Sequence, residues 1–232
     1  MSMKTLSRLT AVLGIWSSLL VVLLVGLYIK TGVSQEYFES THPAAEYTKT
    51  LIRQAGLLNV TFSLDNLFLI SYGAFFVGLA VLFRHRTDPF ILKVAVGALL
   101  LAALFDSVEN HHITAMAQAA LAGIPLFDGE IRAQVVISSL KFHASCFSSV
   151  LFAVAIPRET RLGHVVTWLY AAYGFCGILV LTSPQSLILF LSLLRTVSFF
   201  LSFLLVGILL WNWVPDGAQL NVEQNLSAAL SQ

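Results

Sequence analysis

Six apolar windows, each long enough to cross a bilayer, run through this chain of 232 residues: Leu6–Ile29, Thr61–Phe83, Pro89–His112, Ile131–Ile156, Gly163–Leu181 and Gln185–Trp213. A transmembrane helix needs about 20 mostly apolar residues. Hydrophobic residues make up 57% of the chain and charged ones 11%, whereas soluble domains carry roughly 25% charged residues. A soluble domain of this size could not hide so much apolar surface. The expected fold is all-α: a polytopic bundle of six transmembrane helices over residues 1–214, with a polar tail over 215–232. The first window starts like a signal peptide, with Lys4 and Arg8. Its apolar stretch is too long and no small-residue cleavage site follows, so a retained helix is expected.

Orientation follows from basic residues near the span ends. Lys4, Arg8, Arg84, Arg86, Lys93, Arg158 and Arg161 fall on one side. The other side has Lys30, Lys49, Arg53 and Arg132, diluted by Glu36, Glu39, Glu46, Asp128 and Glu130. Both termini are therefore expected in the cytoplasm, in a plasma or inner membrane. Trp168, Trp211 and Trp213 fall at inner boundaries, and Trp16 does not. In the first outer connection, Leu51, Ile52, Ala55 and Leu58 have the spacing of an amphipathic helix lying on the outer surface over about 44–59.

Several classes are excluded or unsupported. A net charge of +1 offers no basic stripe for nucleic acid. Cys146 and Cys176 lie in apolar runs and read as core residues. No phosphate-binding Gly-rich loop and no CxxC pair occurs. No internal repeat supports an inverted-repeat transporter.

Five formal charges fall within the windows: Asp65, Asp106, Glu109, Lys141 and Arg195. Charges in a bilayer are costly and normally face the bundle. Counted from the window ends, Asp65 and Glu109 lie roughly 5–6 Å, Asp106 about 9 Å, and Lys141 and Arg195 about 15 Å below the outer boundary. Asp106, Glu109 and Asn110 share one helix side. Ser138, Lys141, Ser145 and Ser148 form a stripe, as do Ser192, Arg195 and Ser202; Asp65 and Tyr72 share a face. These stripes suit a buried polar cavity opening outward. Three acids against two bases leave one negative charge, so a proton or cation should be held, with Glu109 the expected holder.

The expected site residues are Asp65, Asp106, Glu109, Asn110, Lys141, Arg195, Tyr72 and Ser145. The leading function is binding or translocation of a small polar or cationic solute, or protons. A scaffold subunit held by structural ion pairs is the alternative, packed against a membrane-protein partner or a second copy of itself. A metal-dependent intramembrane hydrolase is a third. No cofactor is predicted, although Asp106, Glu109 and His112 could hold a single metal ion. The one Glu-x-x-His motif is too little for a di-iron site. A Ser–Lys dyad at Ser138 or Ser145 lacks a supporting motif, and the reading leans away from an enzyme. His111 is expected to point away from Asp106, and His143 to pack beside Cys146.

Overall fold

The computed structural model describes residues 2–33, 35–156, 158–182 and 185–212. The tail over 215–232, and Trp213 with it, lies outside the described residues. Within them the chain is helical and has no strand: α1 (Met3–Thr31), α2 (Ala44–Phe83), α3 (Pro89–Leu121), α4 (Asp128–Ala155), α5 (Arg161–Thr182) and α6 (Gln185–Asn212), with a short 3-10 turn at Gln35–Tyr37. All six are long and apolar enough to cross a membrane. The chain is a multi-pass integral membrane protein with charged residues buried inside it.

Local chemistry marks the helix ends. Ser2 caps α1 by accepting from the Thr5 amide. At the other end Gly32 takes the left-handed conformation, with φ 67°, and returns its N–H to the Tyr28 carbonyl. A Cβ there would be strained. Asp88 accepts the Phe90 amide at 2.7 Å, and Pro89 occupies the first turn, where its missing N–H costs nothing.

The helices form a ring in sequence order, each packed on the next, and α1 closes it against α6. Closure needs small residues where backbones approach. A Cβ on Gly207 of α6 would come 3.0 Å from the Ala11 carbonyl of α1, and one on Gly174 of α5 2.9 Å from the Cys146 carbonyl of α4. Such contacts drive helix association in lipid, where the hydrophobic effect cannot. Ser7 Oγ donates to the Leu210 carbonyl and Arg8 lies over Trp211, so the two ends of the described chain share one end of the bundle. We call this the terminal end. The opposite, loop end carries the connections 32–43 and 122–127. Ile70, Leu104, Phe147 and Phe190 are exposed on the ring's outside, as lipid contact requires.

Two apolar cores are stacked along the bundle axis. The larger fills the terminal half with Phe75, Phe76, Leu79, Phe152 and Phe203. Their rings pack edge-on or tilted at centroid distances of 4.7 to 5.8 Å, worth about 0.5–1.5 kcal/mol per pair beyond burial. The smaller lies at the loop end and gathers Phe38, Tyr47, Leu51, Leu58, Ile113 and Ile131.

That second core changes the expected span ends. The segment 44–59 is helical and buries Leu51, Ala55 and Leu58. It runs on into the second span as one 40-residue helix, and Ile52 stays 45% exposed. α3 likewise continues nine residues past His112, to Leu121. Each extension gives the other an apolar surface to bury. The helix ends therefore give no support to depths counted from residues 61 and 112: Asp106 is about 22 Å from the loop end of α3. The charged residues lie between the two cores.

Candidate functional site

The centre of the charged layer is the Lys141 ammonium on α4. It lies 2.9 Å from Glu39 Oε1, 3.1 Å from Glu109 Oε1 and 3.2 Å from Asp106 Oδ1. An ammonium has three N–H donors and no acceptor, so these three carboxylates use all of them. Glu109 is fully buried, and its second oxygen, Oε2, has no partner.

Amides extend the layer towards α2. Gln35 Nε2 donates to Glu109 Oε1 at 2.9 Å and to Asn110 Oδ1 at 3.2 Å. Asn110 Nδ2 in turn donates to Asp65 Oδ2 at 2.7 Å and to Asn66 Oδ1 at 3.2 Å. A second branch runs along α4: the His112 ring gives its Nδ1 proton to Gln134 Oε1 at 2.8 Å, and Gln134 Nε2 donates to Ser138 Oγ.

The structure thus brings Asp65, Asp106, Glu109, Asn110 and Lys141 together. Arg195 stands apart from Asp106. Its guanidinium lies 3.6 Å from Glu36 and 4.5 Å from the centre of the Phe142 ring, which also has the Lys141 ammonium 4.8 Å away. The reason is topological: α6 packs on α5 and α1, whereas Asp106 is on α3. Tyr72 and Ser145 line a cavity below the ion cluster. Ser145 Oγ bonds the Tyr173 hydroxyl at 2.8 Å, and Ser138 gives its hydroxyl to the Gln134 carbonyl, so neither is placed to use Lys141 as a base.

His111 is exposed and bonds the Ser107 carbonyl; His143 is also exposed and bonds the Ser139 carbonyl. His143 therefore turns outward rather than into the packed interior. Among the described residues, no group of three or more His, Cys, Asp or Glu side chains is arranged to hold a metal ion. His112 is instead engaged by Gln134.

The residues missed from sequence sit in the connection between α1 and α2. Gln35, Glu36 and Glu39 read as solvated loop polars, yet the connection folds back over the bundle. Phe38, fully buried beside Tyr47 at 5.2 Å, anchors it. An aromatic pair Tyr37–Phe38 between two acids was the one available signal. Burial would push the Glu39 carboxyl up, but the Lys141 charge, the hydrogen bond from Lys141 and the Arg195 charge together outweigh it, holding Glu39 below its ordinary value.

With Glu39 included, four acids face Lys141 and Arg195, since the Glu36 side chain stays 68% exposed. Were all four ionised, two negative charges would remain rather than one. Uncompensated buried charge costs several kcal/mol, so the layer as a whole favours positive company.

Two of the cavities that adjoin the layer reach the Lys141 cluster or Arg195. A cleft of about 330 Å³ opens at the loop end between the folded-back connection, α4 and α6, with Glu36, Glu39, Ser138, Ser192 and Arg195 on its walls. A chamber of about 130 Å³ lies inside the ring, with Asp106 and Lys141 at one end. Phe142 lines both. No protein-family model, no curated protein and no solved structure matches this chain.

Proposed function

We propose that the charged layer binds a small cationic or polar solute, or protons, on a route through the bilayer entered from the loop end. The terminal end, with its basic residues, faces the cytoplasm of a cell bounded by a plasma or inner membrane. One observation carries this reading. Lys141 has no donor left, while among the described residues Asp65 accepts only from the Asn110 amide and Glu109 Oε2 has no hydrogen-bond partner. A further anion would find no donor on Lys141, whereas a cation would find acceptors. The loop-end cleft supplies an approach, and Phe142 stands between it and the chamber.

Titration calorimetry of the purified protein with sodium, calcium, zinc and small organic ammonium salts, at fixed ionic strength, tests this. Saturable binding of one cation, lost in Asp106→Asn with the fold retained, supports the reading. Absence of binding for every cation, with no proton taken up or released between pH 5 and 9, overturns it.

A structural lock is the second reading, favoured by the way Gln35, Glu36 and Glu39 all tie the connection to the bundle. It differs in its consequence: an acid-to-amide change would then cost stability and nothing else.

A further inference from the structure

A cavity of about 770 Å³ lies on the outside of the ring at the terminal half, in the groove between α2 and α3. Its length is apolar: Val77 and Val81 form one wall, Val96 and Leu100 the other. Gly97 leaves the second wall open, since an added Cβ there would meet nothing within 4 Å. From Arg84 to Val77 on α2, and from Lys93 to Leu100 on α3, the groove runs about 10 Å along the helices. One leaflet of a bilayer contributes about 15 Å of hydrocarbon, so the groove spans most of its thickness. An outward groove at this depth in a multi-pass membrane protein is filled by lipid.

The mouth of this groove is basic. Arg84 and His85 follow the end of α2, and Lys93 stands one turn into α3. Arg84 Nε donates to His85 Nε2 at 2.8 Å, which steadies the guanidinium and leaves its terminal nitrogens for another acceptor. Among the described residues, neither Arg84 nor Lys93 is paired with a carboxylate. The nearby acids are engaged elsewhere: Asp88 Oδ1 accepts the Phe90 amide, and Glu159 pairs with Arg86. The cavity between the same two helices at their loop halves differs, with Asn59, Ser63 and Gln118 on its walls. Apolar length and positive charge therefore coincide at the terminal half.

We infer that this groove docks an anionic phospholipid, with one acyl chain along Val81, Gly97 and Leu100 and the phosphate between Arg84 and Lys93. A guanidinium grips phosphate oxygens through paired N–H donors. Lys93 enters from one turn along α3, within reach for a long side chain that carries its charge to the membrane surface. With the terminal end in the cytoplasm, the lipid comes from the inner leaflet, whose anionic lipids give that surface its negative potential. The groove is outside the ring and the charged layer inside it, so either reading can fail without the other.

Native mass spectrometry of the full chain in detergent, titrated with lipid, tests this. Dioleoyl phosphatidylglycerol should bind at least about tenfold more tightly than dioleoyl phosphatidylcholine, since each basic residue near the surface is worth about fivefold. Equal affinity for the two lipids, or no binding of either, overturns the inference. Arg84→Gln with Lys93→Gln, both at exposed positions, should reduce the preference to about twofold or less. Lys4→Gln with Arg161→Gln removes two exposed charges of the same end that lie outside the groove, and should leave the preference intact. A preference that survives the first pair, or falls equally with the second, means diffuse attraction and overturns the inference. Gly97→Leu keeps every charge and fills the groove, so both lipids should bind several-fold more weakly; unchanged affinity overturns it. Glycerol 1-phosphate, a headgroup without chains, should not displace bound phosphatidylglycerol at millimolar concentration. Displacement would make this a site for free phosphate esters and overturn the assignment to lipid.

Discussion

Lys141 in α4 and Glu39 in the connection after α1 are 102 residues apart in sequence, and their charged atoms meet at 2.9 Å. Through that pair, a connection outside the apolar windows becomes the cover of the charged layer. Lys141→Met should strand Glu39, Asp106 and Glu109 together. Losing one partner of a buried ion pair costs about 3–5 kcal/mol, and the melting temperature should fall by on the order of 10 °C. Differential scanning fluorimetry of the detergent-solubilised protein would show it.

The same contact should weaken in acid. Burial pushes Glu39 up, but the Lys141 charge, the hydrogen bond from Lys141 and the Arg195 charge together hold it below its ordinary value of 4.5. A carboxyl depressed in the folded state contributes stability above its unfolded value and loses it as pH falls through its folded value. The melting-temperature advantage of the wild type over Glu39→Gln should therefore be constant above about pH 5 and shrink steadily below 4.5. An advantage unchanged down to pH 3 would mean that Glu39 and Lys141 are not paired.

Orientation can be read directly. With the loop end outside, cysteines placed at the exposed positions Ser40 and Gly123 should react with an impermeant thiol reagent on intact cells. A cysteine at His85, exposed at the terminal end, should react only after permeabilisation. Cys146 and Cys176 are buried and should give little background. The reverse labelling pattern would place the charged layer's entrance on the cytoplasmic side.

Local periodicity made part of this site legible. Asp106, Glu109 and Asn110 stand one turn apart on α3, and helical geometry alone brings them to one side. Lys141 followed from the cost of an unpaired intramembrane charge. Helix adjacency was not legible, because apolar windows do not state which neighbour each helix takes. Periodicity therefore groups Arg195 with the charges of α2, α3 and α4 without choosing its partner, and the ring gives it to Glu36. Glu39 escaped for a related reason: only the packing of Phe38 against Tyr47, a tertiary event, folds its connection inward. The extensions of α2 and α3 past their apolar windows depend in the same way on burying Leu51 and Leu58 together with Ile113.

The site and lock readings diverge most sharply at Asp106. Asp106→Asn keeps the shape of the side chain and leaves Lys141 with Glu39 and Glu109. In the site reading the variant folds normally and loses its ligand. A lock instead loses stability without any change in binding.

If the surplus of acids around Lys141 attracts a cation, ligand-dependent melting will register it. A ligand that binds only the folded state at about 100 times its Kd adds about 2.7 kcal/mol of stability. At constant ionic strength, one cation should raise the wild-type melting temperature in a saturable way and leave Asp106→Asn unmoved. If no cation shifts the wild type, and Asp106→Asn already melts several degrees lower without ligand, the charged layer is a lock and binds no cation.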